Sequence, residues 1–180
     1  MRHANVAFFI PHIGCPHRCS FCDQHAISGA IQAPKPEEVR QVCEQALSDL
    51  GERAQNSEVA FFGGSFTAIP REQMVSLLAP AKEAVERFGF RGLRCSTRPD
   101  AVDREVLSLL KAYHMAAVEL GAQSMDSQVL ELNHRGHTPE DTVRAAGLIR
   151  EAGLELGVQM MTGLYGSTSE KDLKTAKALI

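Results

Sequence analysis

Three cysteines, Cys15, Cys19 and Cys22, crowd into the segment Gly14-Cys15-Pro16-His17-Arg18-Cys19-Ser20-Phe21-Cys22-Asp23. Spacings of four and then three let three thiolates from one loop converge on a single inorganic centre. Iron–sulfur clusters are normally held by four cysteine thiolates, so three leave one iron of a four-iron cluster open to another ligand. A structural zinc site instead wants four ligands and closure. His12, His17 or His25 can supply the fourth, which makes zinc the chemical rival. The odd total of five cysteines does not read as a disulfide framework. Cys43 belongs to the apolar stripe of a helix, and Cys95 shares a strand face with Leu93 and Thr97. Both read as core.

Other residues can bind rather than ligate a metal. Gly63-Gly64 precedes Ser65-Phe66-Thr67, and a glycine pair lets backbone approach a ligand closely or simply ends a strand. Arg135, in Leu132-Asn133-His134-Arg135-Gly136-His137, can clamp a carboxylate with two parallel hydrogen bonds, although a lone Arg is more often a solvated group. Ser96 and Arg98 close a strand before Pro99-Asp100 and are placed to face the mouth of a site. Gln123 follows another strand. Gln159 sits within an apolar strand and needs a partner there. The remaining histidines read as surface or capping groups.

The elements that must position these residues alternate. Short apolar runs at Asn5–Ile13, Glu58–Phe62, Leu93–Thr97, Ala116–Leu120 and Leu154–Met161 suit buried parallel strands. Between them, Pro36–Leu50, Arg71–Phe88, Asp103–Tyr113, Pro139–Ala152 and Glu170–Ile180 carry apolar residues three and four apart, as amphipathic helices do. Strands alternating with helices predict an α/β fold, about five parallel βα units with right-handed crossovers. The cysteine loop follows the first strand and so lies at the C-terminal edge of the sheet, where such folds place their chemistry. A closed eight-stranded barrel needs about 250 residues, so the series reads as a partial (β/α) barrel, truncated at its C-terminus. Its last strand offers an edge for a missing C-terminal region or for self-association. Residues 1–180 read as one core domain.

Composition narrows the classes. The chain has 180 residues, 44% of them hydrophobic and 23% charged, and a net charge of −3. These are globular averages, which exclude disordered, collagen-like and coiled-coil chains. The charge gives no bulk reason to bind nucleic acid. No apolar run reaches the roughly 20 residues that span a bilayer, and no signal peptide is seen. A cytoplasmic protein with no membrane partner is the expectation.

Cys-x3-Cys-x2-Cys with an aromatic before the third cysteine, on a loop after the first strand, resembles the radical S-adenosylmethionine superfamily, and the likeness runs over essentially the whole chain. Phe9-Ile10-Pro11-His12 and Val118-Glu119-Leu120-Gly121-Ala122-Gln123-Ser124 are similar to the catalytic subunit of Elongator and its bacterial relatives. The resemblance implies a 4Fe–4S cluster on Cys15, Cys19 and Cys22, whose open iron takes S-adenosylmethionine. It implies reductive cleavage to methionine and a 5′-deoxyadenosyl radical, a reductant such as flavodoxin or ferredoxin, and tRNA wobble uridine as substrate. It assigns the methionine amino group to the Gly63-Gly64-Ser65 segment, where many members carry Glu at position 65. It assigns the carboxylate to Arg135, the ribose or methionyl part to Gln123, the ribose to Gln159 and adenine packing to Phe21. Thr162-Gly163-Leu164-Tyr165-Gly166 is similar to a Gly-Leu-Pro-Gly turn beneath adenine, with Tyr165 in place of Pro. The rival classes are a zinc-binding module and an electron-transfer iron–sulfur protein.

Overall fold

The computed structural model describes residues 4–11, 13–16, 18–23, 26, 29 and 32–180. Five strands, β1 (Ala4–Ile10), β2 (Ser57–Gly63), β3 (Gly92–Thr97), β4 (Met115–Gln123) and β5 (Glu155–Met160), form one sheet in sequential order. Every neighbouring pair is parallel. The helices are α1 (Pro36–Leu50), α2 (Arg71–Phe88), α3 (Arg104–Ala112), α4 (Ser127–Leu132), α5 (Pro139–Glu151) and α6 (Ser169–Leu179). Five parallel βα units are thus present, as the alternation of patterns predicts.

The helix boundaries follow local chemistry. Asp103 caps α3 by accepting the Val106 N–H at 2.7 Å. Thr138 and Asp141 cap α5 reciprocally. Gly89 ends α2 in the left-handed conformation. The short α4 is not foreseen by periodicity, because six residues hold too few turns for a stripe. Its signal is Asp126, whose carboxylate accepts the Val129 N–H at 3.0 Å.

The two faces of the sheet differ. Phe8, Phe61, Cys95 and Val118 share one face by register and join helix residues such as Val39, Cys43, Leu77, Leu110 and Ile149 in one buried cluster. Burial pushes the thiols of Cys43 and Cys95 up to about 12, so both are inert core groups. The opposite face carries Glu58, Arg94, Ser96 and Glu119.

Two strand expectations are corrected. β1 stops at Ile10 rather than Ile13, since Pro11 offers no N–H to a ladder and the Ile13 N–H turns back to the Pro11 carbonyl at 2.7 Å. Nor is β1 buried throughout. Val6, Phe8 and Ile10 are buried while Asn5 through Phe9 alternate, and Phe9 is 39% exposed. An edge strand covered on one face alternates. β5, at the other edge, is only half-buried.

Candidate functional site

The twelve residues singled out by sequence line one cleft at the C-terminal edge of the sheet: Cys15, Cys19, Phe21 and Cys22 from the loop after β1, Gly63, Gly64 and Ser65 after β2, Ser96 and Arg98 at β3, Gln123 at β4, Arg135 after α4 and Gln159 on β5. His12, His17 and His25, the candidate fourth zinc ligands, lie outside the described residues. Among the described residues, no three His, Cys, Asp or Glu side chains gather around a point that would hold a single metal ion.

The cysteine loop is seated by backbone. The Gly64 N–H donates to the Ile10 carbonyl at 2.7 Å. A Cβ at Gly64 would lie 2.6 Å from the carbonyl oxygens of both Ile10 and Ile13, so only glycine lets the loop settle on the end of β2. The far side of the loop is held by Asn133, which is buried. Its Oδ1 accepts from Ser20 Oγ at 2.7 Å, and its Nδ2 donates to the carbonyls of Val129 at 2.7 Å and Tyr165 at 2.9 Å. One carboxamide therefore joins the cysteine loop, the end of α4 and the turn after β5. Tyr165 itself is 72% exposed and points no ring into the cleft. Burial raises the Cys15 thiol above its ordinary value, partly offset by the Ser65 backbone N–H and the Arg98 charge.

Two arginines enter the cleft and differ in charge balance. Arg98 is neutralised by Asp100, with Nε and Nη2 donating to its two carboxylate oxygens at 2.8 and 2.9 Å. Arg135 is buried and pairs with no acidic side chain among the described residues. Its Nη1 donates to Cys19 Sγ at 3.3 Å and its Nη2 to the Gly121 carbonyl at 2.5 Å, and its guanidinium lies 6.0 Å from the Phe21 ring centre. Its buried Nε has no hydrogen-bond partner among the described residues. A buried cation without a counter-ion is costly, so this wall fits an anion. Thiolates bearing an iron–sulfur cluster and a carboxylate both answer that requirement.

The polar wall is built from strand ends. Ser65 turns its hydroxyl to accept the Arg98 N–H at 3.0 Å, tying β2 to β3. Gln123 has φ +66 and follows an irregularity in the β4–β5 register. A non-glycine residue held in the left-handed region marks a backbone over-determined by its surroundings. Gln159 donates from Nε2 to Glu119 Oε2 at 2.7 Å.

Sequence reasoning missed three contributors: Asn133, Glu119 and His137. His137 is buried rather than superficial, with Nε2 bonded to the Ala122 carbonyl at 3.2 Å. Burial, aided by the charges of Arg135 and Arg98, pushes its pKa down to about 4. The imidazole is neutral and adds no second cation beside Arg135. Its adjacency to Arg135 was the available signal.

The chain is similar to known proteins in sequence and in fold. A family model described as the Radical SAM superfamily matches residues 9–179. A "tRNA uridine(34) acetyltransferase" of Dehalococcoides mccartyi is 27% identical over 202 aligned positions, covering 96% of this chain and 44% of that protein. The structure of the archaeal Methanocaldococcus infernus Elp3 superposes with a TM-score of 0.69 at 25% identity, over 97% of this chain and 41% of that one. The Escherichia coli coproporphyrinogen III oxidase HemN, a radical SAM enzyme, shares the fold with a TM-score of 0.66 at 20% identity, over 98% and 40%. The chain spans less than half the length of each of these proteins.

Proposed function

Because the chain belongs to the radical S-adenosylmethionine superfamily, an enzyme family that uses a 4Fe–4S cluster and S-adenosylmethionine, we propose that Cys15, Cys19 and Cys22 hold that cluster and that the cleft beside it holds the nucleoside cofactor. The observation that carries the reading is the sharing of one cleft by three thiols of a single loop and a buried guanidinium without an acidic partner among the described residues. When bound, cluster and cofactor supply reductive cleavage of the sulfonium to methionine and a 5′-deoxyadenosyl radical that takes hydrogen from a substrate. The chain's own residues bind and orient. Arg135 holds the cofactor carboxylate and offsets cluster charge. The Gly63-Gly64 backbone receives the amino group. Gln123 and Gln159 face the ribose, Ser96 and Arg98 shape the mouth, and Phe21 packs against adenine.

The substrate class we infer is tRNA, with a wobble uridine as the site of reaction. The support is the similarity to a tRNA uridine(34) acetyltransferase and to an archaeal Elp3. The electron donor in this reading is a flavodoxin or ferredoxin, and the compartment is the reducing cytoplasm. No helix among the described residues is long and apolar enough to cross a membrane. Val143 on α5 and Leu173 on α6, two helices packed against β5, are exposed apolar side chains, which supports association at that edge.

Anaerobic reconstitution followed by metal and sulfide analysis tests the site. The expected result is iron and sulfide in equal amounts, 5′-deoxyadenosine formed with a strong reductant, and both abolished by Cys19→Ala. Zinc without sulfide, or iron content unchanged in Cys19→Ala, would overturn the reading.

A further inference from the structure

The sheet face turned away from the helices carries a row of charges. Arg94 on β3 reaches Glu58 on β2 (Nε to Oε2, 2.6 Å) and Glu119 on β4 (Nη1 to Oε1, 3.0 Å), with Glu155 on β5 at 3.5 Å. Its register neighbours are Ala60 and Ala117, which leave room for the guanidinium. Burial works against the Arg94 charge, but the hydrogen bonds and charges of Glu58 and Glu119 outweigh it and hold its pKa above the ordinary value.

Glu119 belongs to this row by one oxygen and to the cofactor cleft by the other. Its Oε2 accepts from Gln159 Nε2 at 2.7 Å and from Ser96 Oγ at 3.3 Å. Ser96 and Gln159 line the cleft, and Glu119 lies behind them. The facing residue on β5 is Gly157, where a Cβ would come within 2.9 Å of Glu119 Cγ. The glycine is what lets the carboxylate lie across to Gln159.

A carboxylate accepts and never donates. The amide nitrogen of Gln159 must therefore face Glu119, which turns the Gln159 carbonyl oxygen away from it. The single hydroxyl proton of Ser96 is likewise spent on Glu119, leaving oxygen lone pairs for the cleft. We propose that Glu119 is a positioning residue that fixes the hydrogen-bond polarity of this wall, so that Ser96 and Gln159 present acceptors to the cofactor. A wall of that polarity takes hydroxyl and ammonium protons, the donors of a ribose and an amino acid. The inference rests on the reading of the cleft as the S-adenosylmethionine site and goes beyond it by naming what sets its selectivity.

The test is equilibrium binding of S-adenosylmethionine to the cluster-loaded protein by calorimetry. Glu119→Gln lets position 119 donate, so the Gln159 amide can flip and the Ser96 proton can turn outward. Affinity should fall about ten-fold, the equivalent of one misplaced hydrogen bond, with iron content unchanged. Adding Gln159→Glu to Glu119→Gln rebuilds the bond to position 159 in reverse, again leaving an acceptor oxygen on the cleft side, and should bind several-fold more tightly than the single variant. If Glu119→Gln alone loses the cluster, the reversed pair carries the test, because it restores the missing carboxylate. Wild-type affinity in Glu119→Gln, or a reversed pair that binds no better than the single variant, overturns the proposal while the cofactor site stands. Failure of the wild-type protein itself to bind overturns the site.

Discussion

Replacing Asn133 with Ala should loosen the cysteine loop without touching any group proposed to meet the cofactor. The carboxamide makes three bonds, from Ser20 Oγ and to the Val129 and Tyr165 carbonyls, all between 2.7 and 2.9 Å. Each is worth about 0.5–1.5 kcal/mol net. Ser20 and Tyr165 are exposed and regain water, and the Val129 carbonyl still accepts the Asn133 N–H at 3.2 Å, so the sum belongs near the low end, about 2 kcal/mol. For a chain of this size each kcal/mol moves the melting temperature by about 2–4 °C, giving a fall of about 4–8 °C. The Ser20 N–H to Asn133 carbonyl bond, at 3.3 Å, uses only backbone and survives. The loop should therefore stay near its place but open more often, and the reconstituted protein should lose iron to a chelator several-fold faster. Thermal unfolding by circular dichroism and chelation followed by absorbance measure the two effects. A melting temperature within 1 °C of wild type together with unchanged iron release would refute the assignment of Asn133 as the loop's anchor.

Other expectations concern the cleft. Arg135→Ala should weaken S-adenosylmethionine binding by about 10- to 100-fold, from the loss of a charge-assisted bond of about 1.5–3 kcal/mol; calorimetry on the cluster-loaded protein decides it. Gly121→Ala would put a Cβ 3.0 Å from Gln123 Nε2 and 3.3 Å from Arg135 Nη2; it should leave the fold intact and reduce the same affinity several-fold. His137 is held neutral with a folded pKa of about 4 against an ordinary 6.5. Its unfolded form binds the extra proton first, so its contribution is complete above pH 6.5 and is lost as pH falls toward 4, by about 3 kcal/mol in all. His137→Gln should flatten the pH dependence of denaturant stability in that window, and an identical slope in the variant would contradict it.

The helix-facing half of the fold was legible because it is written in periodicity. Cys43 and Cys95 fall on apolar stripes and are buried where those stripes predict. The cysteine loop was legible because its spacing has few other uses. The opposite sheet face was not legible, for a physical reason. Arg94 and Glu119 are each flanked in sequence by apolar residues, Glu58 opens the apolar run that follows it, and a charge in such a strand signals only that a partner exists. Which partner depends on strand order and register, and the pairs here are separated by 36 and 25 positions.

The same limit explains why Gln159 was found and Glu119 was not. A glutamine in an apolar strand needs a partner, the family resemblance gives it a binding role, and Gln159 lines the cleft. Yet an amide presents either a donor or an acceptor, and its own sequence context does not choose between them. The choice is made 40 positions earlier by a carboxylate, which is in turn held by Arg94 on the strand beside it. On the proposed reading, binding selectivity in this cleft is thus a property of three adjacent strands and not of Gln159 alone. Substitutions at position 159 alone will be misread unless the group behind it is varied with it.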